Sequence, residues 1–312
     1  MTDEEWDLIG DLVAPYWSPG GMGRPVTVDR RRVVDAIFYV AATGCQWRAL
    51  PDCYPNWNTV HRYHLRWSRD GTWEAIAARL AAAVRETEGR DPQASAGIVD
   101  ARSVRGAATV TSPTRGYDAG KKISGRKTFG IVDTLGLLVA VTVVAASVSD
   151  NAGGVVVADA ARARSRRFRR LWCDSGFKRN FLEHCRRHHV AVEVVTKIHA
   201  GRFEVLPKRW IVERTWSWLM NNRRLQVDYE RDPRHRRLHM GRPQPTPPSP
   251  THTPSEHLTA LGELSRQPLR ARPTRTAGRT RPTTADSVSG GVTTMPAVAD
   301  RNGGDRRRER QA

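Results

Sequence analysis

The 312-residue chain contains few cysteines and no long apolar run. No two cysteines form a CxxC pair, which predicts reduced thiols rather than a disulfide framework. The longest apolar run, residues 137–146, is about ten residues long and too short to span a bilayer. The opening sequence MTDEEWDLIG is acidic and lacks the apolar core of a signal peptide. We therefore expect a cytoplasmic protein without membrane contact. The four cysteines are Cys45, Cys53, Cys173 and Cys185.

Acidic residues are scarce relative to basic ones. The chain has 51 Lys and Arg against 32 Asp and Glu, a net charge of +19. Such an excess predicts a polyanionic partner, nucleic acid first.

The C-terminal segment 235–312 has no Phe, Trp or Tyr and no Lys, yet it holds 10 of the 19 prolines. A segment of this composition cannot bury enough apolar surface to offset the entropy of ordering it. We expect a disordered Arg/Pro/Thr-rich tail.

Residues 1–90 show apolar residues at helical spacing, interrupted by Gly and Pro. Arg62, Arg66 and Arg69 recur along one of these predicted helices. The pattern is typical of a small helical, helix-turn-helix-like DNA-binding domain. A helical bundle with a solvated basic face is the alternative.

Residues 95–232 change to the periodicity of strands. The order is a strand, a hairpin that turns at Leu135-Gly136, a helix, a strand, a helix, a strand and a last helix over 209–225. This order predicts an α/β domain with a mixed sheet flanked by helices.

Three carboxylates stand out in this domain. Asp100 and Asp174 each lie where an apolar strand meets a loop, and Glu213 borders the core-facing stripe of the last helix. Convergent carboxylates suit two Mg²⁺ or Mn²⁺ ions. The alternatives are turn aspartates, and a pairing of Glu213 with Arg209 four residues earlier.

Several stretches resemble the DDE-type transposases of bacterial insertion sequences, specifically the IS-5-like family: VDARSVRG, GYDAGKKISGRKTFGIVDTLGLLVAVTVVAASVSD, LWCDSGF and LPKRWIVERTWSWLMNNRRLQVDYE. TGCQWRALPDCYPNWNTVHRYHLRW resembles the family's helical DNA-binding region. The resemblance covers roughly residues 3–234. It implies an RNase H-like core, Asp100, Asp174 and Glu213 as the metal-binding triad, and metal-dependent DNA cleavage followed by strand transfer. It also implies a homo-oligomer on the terminal inverted repeats and on target DNA.

Basic residues near these motifs are candidate DNA contacts, and a solvated basic surface is the alternative. The candidates are Arg62, Arg66, Lys121, Lys122, Arg126, Lys127, Arg209, Arg214, Arg223 and Arg224.

The chain departs from the wider superfamily around Glu213. Leu206 and Met220 stand where the superfamily pattern has Tyr and Lys, and Arg223 and Arg224 can supply the missing cation. The tail resembles GC-rich DNA read out of frame, so we hypothesise a frameshift near Arg234. An inactive DNA-binding remnant and a two-metal nuclease on the same core are the rival functions.

The segment EHCRRHH offers His184, Cys185, His188 and His189 as soft ligands, and Cys173 lies upstream. Their spacing matches no tetrahedral zinc pattern, so buried structural cysteines are the favoured interpretation.

Overall fold

The computed structural model describes residues 1–13, 27–195 and 208–240. Its first part is helical. The N-terminal helices are α1 (Asp3–Ile9), α2 (Arg30–Thr43), α3 (Trp57–Trp67) and α4 (Thr72–Thr87).

Local sequence signals fix the ends of these helices. The side chain of Asp29 caps α2 by accepting from the backbone N–H groups of Arg31 and Arg32, and Gly44 ends the helix with φ +70°. The buried faces form one core of their own, which includes Ile37, Tyr63 and Trp67. The predicted helical region is therefore present.

The second part is built on a mixed six-stranded sheet with the path β2-β3-β1-β5-β6, and β4 also pairs with β3. β3 runs antiparallel to β1, β2 and β4, whereas β1, β5 and β6 are mutually parallel. The strands are β1 (Ala96–Arg105), β2 (Gly116–Asp118), β3 (Ile123–Val132), β4 (Leu138–Ala145), β5 (Arg170–Cys173) and β6 (Ala191–Val194). The helices that accompany them are α5 (Asp150–Arg164), α6 (Arg179–Arg187), α7 (Arg209–Met220) and α8 (Pro233–Leu238).

The hairpin between β3 and β4 turns where the sequence predicts it. Gly136 adopts φ +91°, and Asp133 Oδ1 accepts from the N–H groups of Leu135 and Leu137 at 2.9 Å each. A left-handed glycine and an acidic side chain that bonds its own loop are the usual requirements of such a turn.

Alternation along the strands places helices on both faces of the sheet. Val99 and Leu171 pack in the core that holds α5 and α6. Their neighbours Ile98 and Trp172 pack in the core that holds α7. Because side chains of a strand alternate between faces, the even-numbered residues of β1 and β5 point towards α7.

A buried ion pair joins the helical part to the sheet. Arg85, at the end of α4, pairs with Asp133 of the hairpin, and both side chains are almost fully buried. Arg85 Nε also donates to the carbonyl of Asp91 at 2.7 Å. A buried charge is tolerated only with such partners, so the pair fixes α4 against the hairpin.

The boundary predicted at residue 235 falls inside helix α8. Asp232 caps this helix, Arg236 is buried, and Met240 packs in the core beside α7. The rest of the predicted tail, residues 241–312, lies outside the described residues. Among the helices that are described, none is long and apolar enough to cross a membrane.

Candidate active site

Asp100 lies in the middle of β1 and not at the predicted strand end, because the pairing of β1 with β3 continues to Arg105. It lies opposite Gly130 of β3, and by the alternation of the strand it faces α7. Burial raises the pKa of its carboxyl group to about 6, while the backbone N–H of Ala101 and the positive charge of Arg209 oppose that rise. The negative charge of Asp174 adds to the increase in pKa. Asp100 and Asp174 therefore interact electrostatically.

Asp174 follows β5 directly, and β5 is the parallel neighbour of β1, with Trp172 opposite Ile98. Its Oδ1 accepts from the backbone N–H of Gly176 at 2.9 Å, which fixes the loop after the strand. The position is the carboxyl end of a strand beside another parallel strand, where ligands of open sheets gather.

Glu213 reaches this edge from α7. The helix is seated by Val212 and Trp216, which are buried in the sheet core. Trp216 lies directly on Gly130, where a Cβ atom would come within 2.8 Å of the indole ring. Gly130 thus permits the close approach of α7 to the strand that pairs with Asp100.

Arg209 bridges two of the three carboxylates. Its guanidinium lies 3.6 Å from Asp174 Oδ2 and 3.3 Å from Glu213 Oε1. The Glu213 side chain is 60% exposed, compared with 29% for Asp174. The pairing of Glu213 with Arg209 that was left open as an alternative is thus present in this conformation.

The donor set fits hard divalent cations. Asp100, Asp174 and Glu213 supply carboxylate oxygens only, the chemistry that Mg²⁺ and Mn²⁺ prefer. Asp174 and Glu213 already share one cationic partner, Arg209. Among the described residues, however, the three carboxylates do not form a group whose ligand atoms all lie within 4.8 Å of one another. Binding a common ion would require the guanidinium of Arg209 to move aside.

Several predicted DNA contacts lie at the surface. Lys121 and Lys122 are exposed in the turn before β3, and Lys121 Nζ donates to the carbonyl of Ala101 at 2.9 Å, one residue beyond Asp100. Arg62 of α3 and Arg223 after α7 are also exposed. Arg66 is half-buried, 3.7 Å from Asp70.

Three other predicted contacts are buried and have structural partners, so they cannot reach DNA in this conformation. Arg126 is fully buried, 3.2 Å from Asp228 Oδ2. Lys127 lies between Asp118 and Asp150, at 3.4 and 3.2 Å. Arg224 Nη2 is 2.8 Å from Oε1 of Glu230. For Arg126, Lys127 and Arg224 the predicted role is therefore corrected to stabilisation of the fold, because a buried cation needs its acidic partner.

Arg214 is half-buried and packs between two indole rings. Its guanidinium lies 4.6 Å from the ring centroids of both Trp210 and Trp218 and donates to the carbonyl of Leu135 at 3.0 Å. Both indole rings belong to α7 itself, so it is the hydrogen bond to Leu135 that ties α7 to the hairpin. Met220 is partly buried against the same core, and Leu206 lies outside the described residues.

Asp150 is a further acidic residue near the site, and the sequence pattern did not indicate it as a candidate. A Cβ on Gly176 would lie 3.0 Å from Asp174 Oδ1 and 3.3 Å from Asp150 Oδ2, so the two carboxylates flank this glycine. The only sequence signal was its place as the first residue of α5 after the Ser149 cap.

Comparisons with known families agree with this architecture. Residues 1–77 match the family described as "Putative transposase of IS4/5 family", and residues 91–242 match the family described as "Transposase DDE domain". The second match defines a class: metal-using DNA phosphoryl-transfer domains with an RNase H-like core. The two matches together cover nearly three quarters of the sequence, and the chain belongs to the DDE transposases of the IS4/5 type.

A curated relative is also similar. The chain is 30% identical over 83 residues to the uncharacterized protein y4sN of Sinorhizobium fredii (strain NBRC 101917 / NGR234). The match covers 26% of this chain and 62% of that protein, less than two thirds of the relative's length. The DDE match ends at residue 242, shortly after Arg234, so the hypothesis of a frameshift near Arg234 stays a prediction.

Proposed function

We propose that the chain is an Mg²⁺-dependent transposase that cleaves the ends of its own insertion sequence and joins them to target DNA. The observation that carries the proposal is that Asp100 on β1 and Asp174, directly after the adjacent parallel strand β5, lie beside the helix that bears Glu213. The negative charge of Asp174 raises the pKa of Asp100, and Arg209 contacts both Asp174 and Glu213. Membership of the DDE transposases supports the same reaction.

Asp100, Asp174 and Glu213 would hold the two metal ions. When bound, the ions supply Lewis-acid activation of a water or 3′-hydroxyl nucleophile and stabilisation of the leaving oxygen. Asp100 begins with a raised pKa and must lose its proton before it can act as a ligand. Arg209 offsets part of the negative charge of Asp174 and Glu213 in the free protein, and its released guanidinium can then bind a DNA phosphate.

The exposed cations provide the DNA surface in this proposal. Lys121 and Lys122 lie beside the strand of Asp100, Arg223 follows α7, and Arg62 lies on α3 of the helical part. Each would contact phosphates, which position DNA without reading its sequence. The partners would be the terminal inverted repeats and target DNA, bound by a homo-oligomer in the cytoplasm, at the nucleoid.

The test is cleavage of DNA that carries the element's own ends, with and without Mg²⁺. We expect the wild-type chain to nick this DNA only with the metal and to yield joined products with target DNA. Asp174→Ala should bind the DNA but lower the cleavage rate by at least about 10³-fold. Glu86→Ala, which removes an exposed acid near the end of α4, should retain the wild-type rate.

Three outcomes would contradict the proposal in different ways. Binding without cleavage by the wild-type chain would identify a DNA-binding remnant. Cleavage without joined products, and without preference for the element's ends, would identify a nuclease. Equal cleavage by wild type and Asp174→Ala would remove the triad from the reaction.

A further inference from the structure

A second group of potential metal ligands lies on the α5 and α6 side of the sheet. Asp159 of α5, His184 of α6 and His188, which ends α6, each offer a ligand atom, and these three atoms all lie within 4.8 Å of one another. His184 Nε2 is 2.8 Å from Asp159 Oδ1, and the rings of His184 and His188 have centroids 4.6 Å apart.

Helices α5 and α6 pack against each other and so position these three side chains. Ala158 and Ala161 of α5 pack in the same buried core as Phe181 and Cys185 of α6. Asp159 lies between the two buried alanines in sequence, and the i, i+4 spacing of the histidines places both on one face of α6. Ligands carried by packed helices are positioned more firmly than ligands on loops.

The local charge is compatible with a cation. Arg186 and Arg187, which lie between the two histidines, form ion pairs with Glu183. Arg162 lies 3.4 Å from the Oδ1 atom of Asp159 and would have to release that oxygen. Asp159 and His184 are partly exposed, so water can reach the position between the ligands.

We propose that Asp159, His184 and His188 form a second metal site, selective for Zn²⁺ and similar first-row ions, that links α5 to α6. Two imidazoles and one carboxylate make a three-ligand set that leaves the fourth tetrahedral position for water. Imidazole nitrogen favours Zn²⁺, Cu²⁺ and Ni²⁺ over Mg²⁺, so this site differs in selectivity from the all-carboxylate triad. The third ligand comes from another helix, which is why the spacing within EHCRRHH alone gives no zinc pattern.

The experiment is calorimetric titration of the metal-free, full-length chain with Zn²⁺ in excess Mg²⁺, which occupies carboxylate sites. One Zn²⁺ per chain should bind in the wild type. His184→Ala, His188→Ala and Asp159→Ala should each weaken this binding by at least about 100-fold, because even the loss of a second-shell partner costs 10–100-fold. Substituting Co²⁺ should give the visible absorption of a four-coordinate ion, and the three variants should lack it.

His189→Asn is the matched control. His189 is the adjacent histidine, is exposed and has φ +58°, a conformation that Asn tolerates. This variant should bind Zn²⁺ as the wild type does. Unchanged circular dichroism of the Asp159→Ala variant, an exposed substitution on the other helix, separates loss of a ligand from loss of fold.

Two results would overturn the site. One is a wild-type chain that binds no Zn²⁺ under these conditions. The other is Zn²⁺ binding of equal stoichiometry and affinity in the wild type and all three ligand variants.

Discussion

Asp100 holds a carboxyl group in an environment that disfavours its charge. Burial raises its pKa to about 6 from an ordinary value of 3.8. The folded protein thus binds the Asp100 proton more tightly than the unfolded chain does. This contribution to stability is full below about pH 3.8 and is lost as the pH rises through 6.

Replacing Asp100 with Asn should therefore stabilise the metal-free protein above pH 7, because the amide carries no charge to desolvate. We expect a gain of about 1–3 kcal/mol in the free energy of unfolding at pH 8, shrinking towards pH 5. Urea unfolding of wild type and variant at pH 8 and pH 5 measures this difference in the free energy of unfolding. The exposed Asp7→Asn should show no such gain, and an Asp100→Asn variant less stable than wild type at pH 8 would contradict the argument.

At the scale of elements, the position of α7 depends on Gly130 of β3. Trp216 occupies the space that a side chain there would need. Glu213 is carried by the same helix, so a displacement of Trp216 also displaces the carboxylate relative to Asp100.

Gly130→Ala should destabilise the fold by about 1–3 kcal/mol through overpacking. It should also reduce DNA cleavage more than the loss of folded protein explains, because Glu213 moves with the helix. Gly120→Ala is the control, since the nearest atom to its added Cβ is 3.5 Å away. Thermal unfolding and cleavage rates should be compared at a temperature where all variants are folded. A fully active Gly130→Ala variant would show that the position of α7 against β3 does not determine the cleavage activity.

The elements that the sequence predicted well are those with local signals. Asp174 could be placed at a strand end because a polar residue that ends an apolar run is visible in the sequence itself. The same signal misplaced Asp100, because β1 continues through polar residues to Arg105 by pairing with β3. The hairpin at Gly136 has an equally local cause. The structural role of Arg126 could not be predicted, because its partner Asp228 is 102 residues away and no local sequence pattern indicates the pair.

At the scale of the whole molecule, the order of strands and helices followed from periodicity, except for the three-residue strand β2, which is too short to show a period. Periodicity did not predict that β1 pairs with β5, or which face of the sheet each helix covers. Both depend on contacts between segments far apart in sequence. The same limit applies to Arg209, which could be paired with Glu213 from helical spacing but not with Asp174. Helix α8 was assigned to the tail because its composition is basic and lacks aromatics. The structure instead buries Arg236 near Asp228 and seats Met240 in the core.

The central claim is that carboxylates of this chain bind the metal ions that drive DNA cleavage. The most direct measurement is the metal requirement of Asp174→Cys on DNA with the element's ends, beside Asp174→Ala and the exposed control Asp7→Cys. A thiolate is a poor ligand for Mg²⁺ and a better one for softer ions such as Mn²⁺. We predict no cleavage by Asp174→Cys in Mg²⁺, recovery in Mn²⁺ that Asp174→Ala lacks, and unchanged activity of Asp7→Cys. Cleavage in Mg²⁺ by Asp174→Cys and Asp174→Ala at the wild-type rate would contradict the account.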